Sequence, residues 1–207
     1  MNPLSQSPTY GKPAVSGAVD AAQIRIAMDP RDVDAAKALI TSASPPSYLE
    51  LFNEPDYSYL GFTPLTLAPA AGATLKDLIH TPTSTQFISP AIAFTGSGYL
   101  SDFFANCPGC IDKIPIISLH VYKPKAQEAI DQITSVHNAY PSKRLWITEL
   151  APACAPDMGC TLDQGGVIGW MQTVVRWAAA SGYVDKIFWN CGEWVRLLPT
   201  PVVELLS

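Results

Sequence analysis

The chain has 207 residues, enough for one substantial hydrophobic core, and we expect a single domain over residues 1–207. Only 15% of the residues are charged and the net charge is −5, which argues against a nucleic-acid backbone or an anionic membrane as partner. Aromatic residues make up 10%, and this composition favours a neutral ligand that uncharged groups recognise, as they recognise sugars.

Short apolar segments alternate with amphipathic helical patterns after an irregular entry segment over residues 1–20. Strands are predicted at residues 24–28, 48–53, 86–94, 114–122, 145–150 and 186–190. Helices are predicted at residues 29–40, 68–80, 126–139 and 167–180, the last with Gly182 as its C-cap. No segment approaches the roughly 20 apolar residues that span a bilayer.

Repeated strand-then-helix units predict an α/β barrel, whose active site lies at the C-terminal ends of its strands. A doubly wound open sheet is the alternative, but the Gly-rich phosphate loop typical of that fold does not follow the first strand. Six strands in a chain of this length are few for a full (β/α)8 barrel of ~250 residues. We therefore predict a short (β/α)8 TIM-like barrel with reduced or missing outer helices.

Two carboxylates close apolar strands, in Asn53-Glu54-Pro55 and Thr148-Glu149-Leu150. A carboxylate at the end of a buried strand is poorly solvated and therefore costly, so a functional role explains it better than an incidental position. Glycoside hydrolysis needs such a pair, one group to protonate the leaving oxygen and one to attack or direct water. We predict that Glu54 and Glu149 are catalytic; the competing interpretation is a buried ion pair or a cap.

Other side chains near the strand ends suit sugar recognition. Tryptophan stacks on pyranose faces, while Asn, His and Tyr hydrogen-bond to hydroxyl groups. The candidate substrate-binding residues are Asn53, Tyr57, His120, Tyr122, Trp189, Asn190, Glu193 and Trp194. The competing interpretation for Trp189 is core packing. For His120 it is a buried structural histidine whose hydrogen bonds are satisfied. Tyr57 belongs to an aromatic loop with Tyr59 and Phe62, which either forms a sugar platform or folds the loop down.

The five cysteines leave several pairings open. Cys107 and Cys110 form either a local disulfide or two inert thiols, because no second CxxC or nearby histidine completes a zinc set. A bridge between Cys154 and Cys160 would stiffen the loop after Glu149, and Cys191 is left over. If both bridges form, the protein matures in an oxidising compartment and is secreted, its signal peptide already removed. A thiol redox protein built on Cys107 and Cys110 is a weaker alternative.

Four motifs in their order resemble glycoside hydrolase family 128, a family of the large barrel clan of retaining glycosidases. They are LFNEPD at residues 51–56, LHVY at 119–122, LWITE at 145–149 and IFWN at 187–190. The resemblance covers roughly residues 24–195. Family 128 comprises β-1,3-glucanases and related β-1,3-glucan-binding proteins, many of them fungal, so the resemblance implies a secreted protein of the fungal cell wall.

The resemblance implies a retaining glycosidase that acts on β-1,3-glucan or laminarin-type oligosaccharides by double displacement, with no metal and no cofactor. We expect a monomer. Glu54 would be the acid/base and Glu149 the nucleophile. Asn53 would hold the 2-hydroxyl of the sugar, Tyr122 would orient Glu149, and His120 would line the same subsite. The tryptophan-bearing first strand of the family is not found in this sequence. The second hypothesis is therefore a β-1,3-glucan-binding protein on the same scaffold.

Overall fold

The structure, a computed structural model, describes residues 24–27, 30–57, 68–93, 98–153 and 162–190. The strands are β1 (Ile24–Ala27), β2 (Tyr48–Asn53), β3 (Gln86–Ala91), β4 (Ile116–Tyr122), β5 (Arg144–Ala151) and β6 (Val184–Trp189). The helices are α1 (Val33–Ile40), α2 (Ala68–Ile79), α3 (Tyr99–Ala105), α4 (Cys110–Lys113), α5 (Ala126–Ala139) and α6 (Gln164–Ser181). All predicted strands and helices are confirmed, with ends that shift by a few residues; the first turn before α1 is a 3-10 helix, Pro30–Asp32. No described helix is long and apolar enough to cross a membrane.

The six described strands form one parallel sheet in the order β1-β2-β3-β4-β5-β6. Each strand pairs with its neighbour in the chain, so the order has no reversal. A doubly wound sheet reverses its strand order at a switch point, and the sequential order excludes that alternative for the described strands. It is the order of a barrel wall, in which successive right-handed crossovers place their helices on one side of the sheet.

The two faces of the sheet carry different side chains. On the helix-facing side, strand residues such as Leu49, Ile117 and Ile147 join the main core with residues of the helices. On the inner face, a smaller apolar cluster of Ile88, Ile116 and Trp146 lies near the N-terminal ends of the strands. Because side chains alternate along a strand, the next inner-face positions are polar and lead toward the C-terminal edge.

Two short helices between β3 and β4, α3 and α4, are not indicated by the sequence patterns. With seven and four residues, they are too short to display a helical period. Both follow a glycine with positive φ, Gly98 at 70° and Gly109 at 78°, a conformation that glycine adopts without steric cost. The predicted role of Gly182 as the C-cap of α6 is confirmed, at a φ of 76°.

Cys107 and Cys110 form a disulfide in the segment that joins α3 to α4, which confirms the local pairing. Both residues are fully buried, whereas a redox-active cysteine needs exposure, so the thiol redox alternative finds no support here. The predicted entry segment, the aromatic loop beyond Tyr57, and three cysteines lie outside the described residues. These cysteines are Cys154, Cys160 and Cys191.

Candidate active site

The predicted site residues converge at the C-terminal edge of the sheet. Glu54 directly follows β2, His120 and Tyr122 lie near the end of β4, Glu149 lies near the end of β5, and Asn190 follows β6. Parallel strands bring their C-terminal ends to one edge, which is where barrel enzymes hold their catalytic residues. The structure therefore brings together five of the residues that the sequence singled out.

The end of β2 is bent to aim Glu54. The pairing of β2 with β3 passes from Leu51 opposite Pro90 to Asn53 opposite Ala91, so Phe52 is an extra residue in the strand. Phe52 and Glu54 have φ angles of 32° and 43°, in a region that costs a non-glycine residue about 1–3 kcal/mol. The backbone N–H of Glu54 donates to the Ala91 carbonyl at 2.9 Å and fixes this bend.

A second register shift aims Glu149. In the pairing of β4 with β5, Leu119 lies opposite Ile147 and His120 lies opposite Glu149, so Thr148 is the extra residue of β5. A bulge of this kind interrupts the alternation of side chains and re-aims the residue that follows. Glu149 is thereby directed to the inner face beside His120.

His120 links the two carboxylates. Its Nδ1 lies 2.7 Å from Glu54 Oε1 and 3.5 Å from Glu149 Oε2, and the side chain is only 2% exposed. The backbone carbonyl of His120 accepts a hydrogen bond from Gln132 Nε2 of α5 at 3.1 Å, a contact that the sequence did not indicate. Burial alone would lower the pKa of His120, but the hydrogen bond to Glu54 and the negative charges of the nearby carboxyl groups, that of Glu149 first, together outweigh it and raise that pKa.

Glu149 is held by two neutral donors on one oxygen. The Tyr122 hydroxyl donates a short hydrogen bond to Glu149 Oε2, and Asn190 Nδ2 donates to the same oxygen at 3.0 Å. Asn190 Nδ2 also donates to the Tyr122 hydroxyl. Burial and the hydrogen bond to Glu149 raise the pKa of Tyr122 well above its usual range, so the hydroxyl keeps its proton and remains a donor. The predicted contact of Tyr122 with Glu149 is present.

One polar atom each from Glu54, His120 and Glu149 lies within 4.8 Å of the other two. This trio has the donor types and the spacing that a divalent cation could use. Equally, it places two carboxylates across a small gap with a shared imidazole, which is an arrangement for proton transfer and nucleophilic attack.

The remaining predicted site residues are placed differently. Asn53 is half-buried at the end of β2, and Tyr57 is 37% exposed in the loop after Glu54. Trp189 is partly buried and packs against the main core, with its ring centroid 6.2 Å from that of Trp170 in α6, and its role as a sugar-binding residue stays a prediction. The predicted residues Glu193 and Trp194 lie outside the described residues.

Two acidic residues near the site were not singled out from the sequence. Asp56 Oδ1 accepts a hydrogen bond from the Ala93 backbone N–H at 2.9 Å, which ties the loop after Glu54 to the end of β3. Glu50 is buried in the middle of β2, at 3% exposure. A signal for Glu50 is present in the sequence, because it is a charged residue inside the apolar strand YLELF.

Known proteins resemble this chain in sequence and in fold. The sequence model of the glycosyl hydrolase catalytic core family matches residues 10–198. Alkali-sensitive linkage protein 1 of Schizosaccharomyces pombe is 35% identical over 142 residues, which cover 67% of this chain and 26% of that protein. The chain thus spans about a quarter of the length of this relative.

Several solved structures share the fold. An exo-β-1,3-glucanase of family 128, subgroup V, from Cryptococcus neoformans aligns at a TM-score of 0.63 with 21% identity, over 82% of this chain and 64% of that one. An oligosaccharide-binding protein of subgroup VII from Trichoderma gamsii aligns at 0.66 with 21% identity, over 96% and 77%. An endo-β-1,3-glucanase of subgroup I from Amycolatopsis mediterranei, in complex with laminaripentaose, aligns at 0.64 with 18% identity, over 80% and 70%. The resemblance to family 128 and the predicted TIM-like α/β fold with reduced helices are both confirmed.

Proposed function

The chain belongs to the glycosyl hydrolase catalytic core family, and from this premise we propose that it is a retaining glycosidase that hydrolyses β-1,3-glucan. In this proposal Glu149 is the nucleophile and Glu54 is the acid/base. The reaction is a double displacement that requires neither metal nor cofactor.

The spacing of the two carboxylates is the observation that carries the proposal. An oxygen of Glu54 and an oxygen of Glu149 lie within 4.8 Å of one another. Retaining glycosidases hold their carboxyl groups about 5–5.5 Å apart, whereas inverting enzymes keep them about 6.5–9.5 Å apart to admit a water. The short spacing favours direct attack by a carboxylate on the sugar.

The hydrogen bonds support the division of roles. Glu149 Oε2 accepts hydrogen bonds from Tyr122 and Asn190, and its contact with His120, at 3.5 Å, is longer than the Glu54–His120 contact. This environment suits an oriented, ionised nucleophile. Glu54 shares a hydrogen bond at 2.7 Å with His120, whose raised pKa keeps a proton available at this pair. That proton suits transfer to the departing glycosidic oxygen.

The proposed reaction proceeds in two steps. In the first, a Glu149 oxygen bonds to the anomeric carbon while the bond from that carbon to the glycosidic oxygen breaks, and Glu54 gives its proton to that oxygen. In the second, a water attacks the anomeric carbon, Glu54 takes a proton from the water, and the bond to Glu149 breaks. Two displacements at one carbon leave its configuration unchanged.

The proposed substrate rests on the family and on the site together. The related Cryptococcus protein is an exo-β-1,3-glucanase, and the Amycolatopsis structure holds laminaripentaose. In this chain, Asn53 directly precedes Glu54, and Tyr57 is 37% exposed shortly after it. In this proposal Asn53 bonds to a sugar hydroxyl and the ring of Tyr57 is a stacking surface. On those grounds we propose β-1,3-glucan or laminarin-type oligosaccharides as the substrate of this chain.

A binding protein without turnover is the second candidate function. The Trichoderma structure, which aligns over 96% of this chain, is an oligosaccharide-binding protein. A binder needs the groove but not a nucleophile at attacking distance, so the two functions differ in what Glu149 must do.

The test compares the wild type with Glu149→Gln on laminarihexaose, with reducing-end release and calorimetric binding followed in the same samples. Glu128→Gln is the matched control, since it makes the same change on the exposed surface of α5. We expect the wild type and the control to release sugar, and Glu149→Gln to bind without release. Binding by all three proteins with no release would establish the second candidate. Neither release nor binding by the wild type would refute the glucan assignment.

We also propose that the protein is secreted and acts as a monomer. The Cys107–Cys110 disulfide supports secretion, because disulfides persist in oxidising compartments. Localisation of a tagged full-length protein in culture medium and light scattering of the purified chain test these two points.

A further inference from the structure

Glu50 is a buried acid that the proposed reaction does not use. It lies on the inner face of β2, opposite Ile88 of the apolar inner-face cluster and four residues before Glu54. Its side chain is 3% exposed. An acidic group at such a position costs stability unless it is neutralised or bonded, so its presence calls for an explanation.

A chain of hydroxyl groups connects Glu50 to β5. Ser118 Oγ of β4 donates to Glu50 Oε1 at 2.5 Å, and Ser118 Oγ lies 2.6 Å from Thr148 Oγ1. Thr148 is the extra residue that shifts the register of β5, and Glu149 follows it directly. The hydroxyl chain therefore ends on the backbone irregularity that aims the nucleophile.

Burial of Glu50 favours its neutral form. Burial is the largest influence on this group and raises its pKa, and the negative charge of Glu149 acts in the same direction. The hydrogen bonds from Ser118 and Thr148 and the charge of His120 act in the opposite direction but do not overcome burial. The proposed reaction needs an ionised Glu149, and a second negative charge close to it would be unfavourable.

We propose that Glu50 is an uncharged positioning residue, which holds the nucleophile Glu149 in place through the hydroxyl groups of Ser118 and Thr148. This inference rests on the proposed function, because it assigns Glu50 a part in the attack by Glu149. An apolar side chain would fill the same space at lower cost. The acid is useful because it offers an acceptor to Ser118 without adding a charge beside the catalytic pair.

The test uses three changes in the chain of hydroxyl groups. Glu50→Met removes the acceptor and keeps the length of the side chain, Glu50→Gln keeps an uncharged acceptor, and Ser118→Ala removes the bridge with little change in volume. Thr85→Val is the matched control, because Thr85 is also buried and its hydroxyl donates to the Pro46 carbonyl at 2.7 Å, next to the start of β3. Laminarihexaose hydrolysis gives kcat and KM for each variant.

We expect Glu50→Met and Ser118→Ala to lower kcat about tenfold or more with KM within about twofold, since the buried hydroxyl groups lose their partner. Glu50→Gln should recover most of the kcat lost in Glu50→Met, and Thr85→Val should keep the wild-type value. A kcat within twofold of wild type in both Glu50→Met and Ser118→Ala overturns the proposal. So does an equal fall in all variants, the control included, because that result indicates a structural role alone.

Two further readouts do not need turnover. The titration midpoint of His120, followed by NMR, should be the same in the wild type and in Glu50→Gln, whereas a fall of about one pH unit would show that Glu50 is charged and overturn the proposal. If the wild type hydrolyses no glucan, the proposed function has failed, and crystal structures decide the position of Glu149. Displacement of Glu149 from Tyr122 in Glu50→Met but not in Glu50→Gln supports the positioning role, and an unmoved Glu149 in both refutes it.

Discussion

Replacing Tyr122 with phenylalanine removes one hydrogen-bond donor from Glu149 and one acceptor from Asn190. Tyr122 is 36% exposed, so loss of its hydroxyl opens no sealed cavity. The ring remains, and Asn190 Nδ2 still lies 3.0 Å from Glu149 Oε2. The change therefore tests how much the orientation of Glu149, the proposed nucleophile, depends on this single contact.

The size of the effect follows from the charge of the acceptor. A hydrogen bond to a charged group contributes about 1.5–3 kcal/mol, and each ~1.4 kcal/mol changes a rate tenfold, which gives about 10- to 150-fold in kcat. We expect the lower end, about tenfold, because Asn190 keeps one donor on the same oxygen. The free energy of unfolding should change by less than about 1 kcal/mol, as is usual for a change near the surface.

The assay measures kcat and KM on laminarihexaose and the urea midpoint of each protein. Tyr140→Phe is the control, since it removes the same atom at the C-terminal end of α5, away from the site. Asn190→Ala in the Tyr122→Phe background should cost more than the two single changes together, because each donor substitutes in part for the other. A kcat within twofold of wild type in Tyr122→Phe would show that this hydroxyl does not orient the nucleophile.

Three further predictions concern the same trio of groups. The pKa of His120 is raised in the folded protein, so its protonated form contributes stability that is complete below about pH 6.5 and is lost as the pH rises through the folded-state pKa. In urea titrations, the stability advantage of the wild type over His120→Gln should therefore shrink above about pH 6.5. An advantage that grows with pH would contradict this sign. Glu54→Gly should be more stable than Glu54→Ala by about 0.5–1 kcal/mol. A φ of 43° costs a side chain about 1–2 kcal/mol, whereas the greater conformational entropy of glycine in the unfolded chain costs about 0.4–1 kcal/mol of stability. Equal urea midpoints would refute strain at this residue. EDTA should leave glucan hydrolysis unchanged, and a loss of activity that one added metal restores would show that Glu54, His120 and Glu149 hold a catalytic cation.

The convergence of the site could be predicted from the sequence because the strands of a parallel sheet end at one common edge. Glu54, Tyr122 and Glu149 each follow or close an apolar run, and the ends of parallel strands share one edge. Once strand-helix alternation is recognised, proximity of these residues follows without any knowledge of side-chain contacts. The helix at residues 126–139 was predictable to the residue, since its period is long and regular.

Side-chain direction could not be predicted with the same success. Trp189 and Phe188 are neighbours in one apolar strand, and only the structure shows that Phe188 faces Trp146 on the inner side while Trp189 faces α6. A period of two identifies alternate faces but does not say which face is which when both are apolar. A single inserted residue, such as Phe52 or Thr148, then reverses the assignment for every residue that follows.

Glu50 illustrates a different limit. A charged residue inside an apolar strand is visible in the sequence, but its partners Ser118 and Thr148 come from two other strands. Serine and threonine are common in strands and turns, so neither draws notice alone. Only the register of β2, β4 and β5 shows that the three side chains meet below the catalytic edge.

The backbone at the end of β2 bears on the choice between an enzyme and a binder. Phe52 and Glu54 both have positive φ, at a cost of about 1–3 kcal/mol each, in a domain whose total stability is expected to be about 5–15 kcal/mol. A groove that only holds a glucan chain has no need of this cost, since hydrogen bonds and aromatic surfaces suffice for binding. The proposed reaction between Glu149 and the anomeric carbon does need it, because Glu54 must lie within a few ångströms of the leaving oxygen. The strain at these two residues therefore weighs toward hydrolysis, and a binder that descends from such an enzyme should be free to lose it.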